Sequence, residues 1–203
     1  MKNLKCTIVG NNEIRINNPQ SADPLNRYAK AMKEINSIHH SKKTDADREK
    51  LESISMESKL YFNNDLGIWI PSTWVMAGIG GVSFSLSNIG KKVIREGVFM
   101  NQDRIKLNYT GMDKVKKIED IVLNPEYKIV EFHKVGTAKI PKGTPKFDNW
   151  SFDIDLDFDE EVVTESQMKA IIKMMVTRKG FGDFRPTYGR GQIENLVITE
   201  VTE

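Results

Sequence analysis

The chain has a single cysteine, Cys6, so no intramolecular disulfide can form. Its place in an apolar N-terminal run reads as a buried thiol rather than a reactive one, and cysteine usage of this kind fits a cytosolic protein. No apolar run approaches the length of a membrane span, and the N-terminus lacks the pattern of a signal peptide. Neither sign of charge dominates. With 30 basic and 28 acidic residues the formal net charge is only +2, so attraction for nucleic acid must come from local clustering. At 203 residues one good core can be buried, and a single domain spanning 1–203 with insertions is expected rather than two separate domains.

Glycine is concentrated in one place, Gly180-Phe181-Gly182-Asp183-Phe184-Arg185-Pro186-Thr187-Tyr188-Gly189-Arg190-Gly191. This density suits a tight loop whose main-chain N–H groups face a ligand, phosphate being the natural candidate. Upstream, Thr164-Glu165-Ser166-Gln167 reads as a capping box. Met168, Ile171, Ile172 and Met175 then repeat as an amphipathic helix that Gly180 terminates. Downstream, Gln192 to Val201 alternates as a strand around Ile193, Leu196, Ile198 and Val201. The order is helix, glycine loop, strand, whereas dinucleotide and P-loop sites need strand, loop, helix. Arg185 occupies the last glycine position of G-x-G-x-x-G and no G-K-[ST] exists, so no nucleotide cofactor is expected.

That order and composition resemble the C-terminal glycine-rich loop of the repeat-associated mysterious protein (RAMP) superfamily, which includes the Cas7-like backbone subunits of CRISPR effectors. The resemblance covers about the last quarter of the chain, roughly 150–201. It implies a ferredoxin-like (RRM-like) core and binding to single-stranded RNA or DNA, with assembly side by side along the strand. In that reading Arg185 and Arg190 meet phosphates, Phe184 and Tyr188 stack on bases, and the glycines allow close backbone approach. Lys42-Lys43-Thr44-Asp45, Leu60-Tyr61, Asp65-Leu66-Gly67 and Gly182-Asp183-Phe184-Arg185-Pro186 are together similar to a group of phage-encoded proteins of unknown role.

Elsewhere, Leu4, Cys6 and Ile8 share one face of a first strand, which Gly10-Asn11-Asn12 turns into a second run over 13–17 as a hairpin. Asp23-Pro24 marks a helix start carrying Leu25, Tyr28, Met32 and Ile35, and Thr44 with Asp47 opens the next helix. Between them His39-His40-Ser41-Lys42-Lys43 offers a basic finger. A histidine acting as general base there would make a Cas6-like metal-independent endoribonuclease, but no partner acid or base is identifiable beside the pair. A third reading, a virion or assembly component, rests on the phage likeness. Ser72 or Thr73 caps a helix presenting Val75, Ile79, Val82 and Leu86, and Gly78, Gly80 and Gly81 within it call for close packing against a neighbour. Trp69 and Trp74 read as core anchors.

Val93 to Met100, Arg104 to Tyr109 and Tyr127 to Lys134 read as strands. The segment 139–146 holds Lys139, Lys142 and Lys146 with two prolines and no acid, and reads as an irregular basic linker or the tip of an extended hairpin. Trp150 to Phe158 is the clearest strand, with Trp150, Phe152, Ile154, Leu156 and Phe158 on one face and Ser151, Asp153, Asp155 and Asp157 on the other. An EF-hand would need glycine at 158 and glutamate at 164, so the acidic face reads as solvated and no metal is expected. If the first strand lies between the last two, the architecture is α+β. A ferredoxin-like antiparallel sheet then carries helices on one face, with insertions at about 23–64 and 136–149.

Overall fold

The computed structural model describes residues 1–135 and 138–201, with side chains described outside 133–140. In chain order the elements are β1 (Lys2–Gly10), β2 (Ile14–Arg15), α1 (Arg27–Ser37), α2 (Asp45–Ser58), β3 (Phe62–Asn63), β4 (Gly67–Pro71), α3 (Ser72–Ser87) and α4 (Lys91–Gly97). Next come β5 (Val98–Met100), β6 (Arg104–Lys106), α5 (Glu119–Val122), β7 (Lys128–Val135), β8 (Ala138–Phe147), β9 (Ser151–Phe158), α6 (Glu165–Met174) and β10 (Gly191–Glu200). The protein is thus α+β. No helix among the described residues is long and apolar enough to cross a membrane. Two compact units emerge: the first is 1–14, 68–110 and 147–203, the second 15–67 and 111–146. The insertions expected from sequence fall largely in the second unit, which also takes 111–135.

The first unit is built on a four-stranded sheet in the order β10-β1-β9-β5, each neighbouring pair antiparallel. β1 therefore lies between β9 and β10, which run parallel to each other across it. Alternation decides the two faces. Leu4 stands opposite Leu156, Cys6 opposite Ile154 and Ile8 opposite Phe152, all at most 3% exposed. Burying such side chains contributes about 1.5–3 kcal/mol each, which makes this seam the centre of the core. Burial pushes the Cys6 thiol up to about 12, with the charge of Asp153 acting in the same direction, so it is an inert core residue.

On the other face the acids of β9 meet donors across β1. Asn3 donates to Asp155 at 2.7 Å and Asp157 at 2.8 Å, Thr7 donates to Asp153 at 2.7 Å, and Lys5 sits 3.5 Å from Asp155. Asn101, beyond β5, donates to Asp155 at 2.8 Å. Neutral amides and a hydroxyl thus satisfy carboxylates that the sequence alone leaves looking like bare ligands.

Some elements differ from the sequence expectation. The 93–100 stretch is not one strand: α4 occupies 91–97, with Ile94 and Gly97 turned inward at helical spacing, and only 98–100 extends. A β-carbon on Gly97 would stand 2.6 Å from Val162, so the glycine permits the contact. α3 has no side-chain cap; the Ser72 N–H donates instead to the Asp103 carbonyl at 2.9 Å. Val75, Ile79 and Val82 are buried as expected, but Leu86 is exposed where the last turn runs out. Trp69 and Trp74 are only half-buried. The strand expected over 104–109 is shorter, ending at Lys106.

In the second unit β2 joins the sheet β2-β8-β7 rather than forming a hairpin with β1. β8 is continuous despite Pro141 and Pro145, and the register explains it. The Pro145 carbonyl accepts from the Ile16 N–H at 3.1 Å, so that residue's polar groups face away from β7; Pro141, four residues earlier, faces the same way. No ladder donor toward β7 is lost. α1 starts at Asn26, whose side chain accepts from the Tyr28 N–H, rather than at Asp23, which caps a local turn at the Leu25 N–H. α2 carries the expected Thr44–Asp47 capping box. Arg15, 1% exposed, pairs with Glu131 at 2.6 Å.

Asp155 gives a pH signature. Burial works to raise its carboxyl, but hydrogen bonds from Asn3 and Asn101 and the Lys5 charge outweigh burial and hold it below the ordinary value. A depressed folded pKa adds stability above the unfolded carboxyl value, about 4, and that stability is lost as pH falls through the folded value. Asn3→Ala should therefore lower the melting temperature most at pH 7, with the deficit narrowing below about pH 4. An equal deficit at pH 3, by calorimetry, would mean the amide does not act through the ionised carboxylate.

Candidate functional site

α6 begins at the Thr164–Gln167 capping box, buries Met168, Ile171 and Ile172, and continues as a π turn over Met175–Lys179 before Gly180. The loop after it is closed on itself. The Gly180 N–H donates to the Met175 carbonyl at 2.8 Å, Phe181 to Gly189 at 2.9 Å, and Thr187 and Tyr188 to the Phe184 carbonyl at 3.1 and 3.3 Å. The Phe184 N–H donates to the Asp183 carboxylate at 3.1 Å. Gly189 donates to the Glu13 carbonyl at 2.9 Å and the Arg190 N–H to the Asn12 side-chain oxygen at 3.0 Å, while the Asn12 amide donates to the Thr187 carbonyl at 2.8 Å.

Most of the loop's amides are therefore engaged within the protein, and the expectation that they face a ligand is corrected. The glycines have the same inward purpose. A β-carbon on Gly189, at φ +72°, would collide with the Phe181 carbonyl, and one on Gly180 would stand 2.7 Å from the Gly189 oxygen. Gly191 presses on the Val9 carbonyl. Gly180, Gly189 and Gly191 thus make their close approaches to the chain's own backbone.

Phe181 is fully buried, edge-on to Phe152 at 5.0 Å and to Trp150 at 6.2 Å between ring centroids. Phe184 and Tyr188 are half-buried, and Arg185 and Arg190 are exposed. Among the described residues neither arginine's guanidinium has a carboxylate partner; Asp183 is turned to the Phe184 amide instead. What the loop presents outward is thus two guanidinium groups and two partly exposed rings, held on a locked backbone.

The remaining candidates lie in the second unit. Lys42 is exposed at the end of a short 3-10 turn, and Lys43 donates to the Asn36 side chain at 3.1 Å. His39 is taken up locally: its Nδ1 lies 2.8 Å from the Ser41 hydroxyl and its ring is edge-on to His40. Lys142 is exposed and lines a cavity of about 410 Å³ with Arg48, Leu51, Glu52, Met56 and Val130. Lys146 is half-buried, and the side chain of Lys139 lies outside the described residues.

The sequence reading missed a cationic group beside the loop. α3 packs its glycines against the π turn at the end of α6: a β-carbon on Gly78 would meet the Met175 sulfur at 2.5 Å, and one on Gly81 would meet the Lys179 ammonium. Lys179 donates to the Ala77 carbonyl at 3.3 Å. Burial pushes its ammonium below the ordinary lysine value, and the positive charges of Arg185 and Lys91 push in the same direction. Lys91 and Arg95 line a cavity of about 370 Å³ with Thr73, Ala77, Gly80 and Ile94. Their spacing of four residues was the available signal, hidden by reading 93–100 as a strand.

No protein-family model matches the chain, and no curated protein matches it. In fold it is similar to a chain of the Type III-B Cmr-beta bound to cognate target RNA, solved by cryo-EM, with a TM-score of 0.53 over 98% of this chain and 9% identity. This chain spans 61% of the length of that one.

Closed geometry and open side chains separate by mutation. Gly189→Ala should destabilise by at least about 2 kcal/mol, because a methyl must displace backbone at a positive φ. Arg185→Ala and Arg190→Ala, at exposed positions, should each stay within about 0.5 kcal/mol of the parent in chemical denaturation. Comparable losses at all three sites would make the arginines part of the scaffold.

Proposed function

We propose that the chain is a non-enzymatic protein that binds single-stranded nucleic acid, with a ferredoxin-like core of RAMP, Cas7-like type, and that it assembles side by side along the strand. The strand order β10-β1-β9-β5 supports the core assignment: counting the sheet strands in sequence, it reads 4-1-3-2 with a helix before the second and fourth. The fold likeness to a chain from an RNA-bound assembly supports the partner class.

The observation that carries the proposal is the pair of exposed arginines, without carboxylate partners among the described residues, on a loop fixed by its own hydrogen bonds. Guanidinium groups held on a rigid backbone meet phosphates without paying for loop ordering at the moment of binding. Phe184 adds a second indication. It sits at φ +59°, a conformation costing a non-glycine residue roughly 1–2 kcal/mol, in a loop that elsewhere uses glycine at positive φ. With the half-buried Tyr188 its ring would offer a partly exposed face for stacking on bases. Lys42, Lys43, Lys139, Lys142 and Lys146 are proposed as further backbone contacts, supplying charge rather than sequence readout.

Salt dependence tests this. Affinity for labelled single-stranded RNA or DNA should fall with rising salt at about 0.7 logarithmic units per phosphate neutralised. The double change Arg185→Ala with Arg190→Ala should weaken binding to all sequences alike and flatten that slope by about 1 to 1.5 units. Tyr188→Ala should instead lose roughly 1–3 kcal/mol with the slope unchanged. Variants that melt as the parent does and bind as it does would remove the loop from the interface.

A further inference from the structure

The cavity between α3 and α4 has the donors for an anion and no charge to oppose one. Lys91 and Arg95 stand one helical turn apart, both exposed, and both line it. Lys179 comes to the same stretch of α3 from the π turn, its ammonium resting on the carbonyl of Ala77, itself a cavity residue. Among the described residues none of these three side chains has a carboxylate within ion-pair distance; Glu96, on the same helix, is turned to Lys92 at 3.9 Å.

Like charges gathered without an acid repel one another, and a bound anion turns that repulsion into attraction. The chemistry is specific. Arg95 offers a planar fork that matches two phosphate oxygens, Lys91 and Lys179 offer point charges, and the Thr73 hydroxyl can donate to a further oxygen. A volume of about 370 Å³ leaves room for the group to which the phosphate is esterified.

We propose that the α3–α4 cavity is a phosphate-ester pocket lined by Lys91 and Arg95, with the Lys179 ammonium beside it on Ala77. The assignment of its phosphate to a bound single strand rests on the function proposed above; the pocket itself does not.

The test compares the parent with Lys91→Gln/Arg95→Gln, using a fluorescent 15-nucleotide oligouridylate in anisotropy titrations across salt and 5′-AMP in low-salt calorimetry. Lys92→Gln, one residue along the same helix, is the control and should change neither. The expected result is parent binding to both probes. The double variant should then bind the strand about tenfold more weakly, with a salt slope lower by about 0.7 per phosphate lost, and should no longer bind 5′-AMP. Binding of 5′-AMP by the parent, lost in the variant, with no strand binding by either, supports the pocket with a free phosphate ester as its ligand and refutes the strand-binding function. Strand binding with equal affinity and slope in parent and double variant, with 5′-AMP bound equally or not at all, overturns the pocket and leaves the loop reading standing. If the double variant melts early, Arg95→Lys takes its place: it keeps the charge but loses the fork, and should weaken both probes about threefold. Unchanged binding there overturns the pocket.

Discussion

The first unit turns on the Trp150 indole. Its N–H donates to the Asn12 carbonyl at 2.7 Å, its own backbone carbonyl accepts from the Gly10 N–H at 2.8 Å, and its ring lies parallel to Phe152 at 5.5 Å. A β-carbon on Gly10 would run into that ring. One residue thus fixes the end of β1, the start of β9 and the depth at which Phe181 seats the glycine loop. A buried indole that lost its acceptor would leave an unpaired donor in the core, at a cost of about 1–3 kcal/mol. The loop's geometry is in this sense set from below, by the core.

Glycine serves the same end at two levels. Within the loop, Gly180, Gly189 and Gly191 let three backbone segments approach one another; within α3, Gly78 and Gly81 let Met175 and Lys179 lie against the helix. Interior helix glycine costs roughly 1 kcal/mol against alanine, and the buried methionine and nearby lysine stem are what offset it. The α3 glycines bring a cation to a place where a bulkier helix would exclude it. Packing and electrostatics are therefore one design problem on this side of the sheet.

Period and cap chemistry were the legible part of the sequence. The alternation of 150–158 and the i, i+3, i+4, i+7 spacing of 168–175 appear in the structure as fully buried faces, and both capping boxes form. These signals are local, so no tertiary information was needed to read them. The glycine loop was located correctly but its polarity was misread, since composition cannot say whether free amides or neighbouring carbonyls will take up the turns. Asn12 and Glu13, far away in sequence, do that. The same limit hid α4, whose short amphipathic stretch between Gly90 and Gly97 alternates well enough to pass for a strand. Pro141 and Pro145 misled because proline's cost depends on which side of the ladder its nitrogen faces, and β2 is what decides the side.

Charge distribution carries the last step. A net charge of +2 predicts little for a nucleic-acid partner, yet the first unit separates its charges. Asp153, Asp155 and Asp157 occupy the sheet face opposite the buried side chains, while Lys91, Arg95, Lys179 and Arg185 belong to the helices and loop, and Phe181 of that loop packs on the buried face. Helices and sheet pack about a side-chain layer apart, on the order of 10 Å, which is also about the Debye length at 0.1 M salt. A phosphate approaching from the loop side therefore feels the arginines and lysines with the aspartates largely screened. Asn3, Thr7 and Asn101 assist this separation by satisfying the acids with neutral donors, sparing most cations from being drawn across the sheet. The acidic face then lets the chain hold a cationic surface while its overall charge stays near neutral, which limits indiscriminate attraction to polyanions.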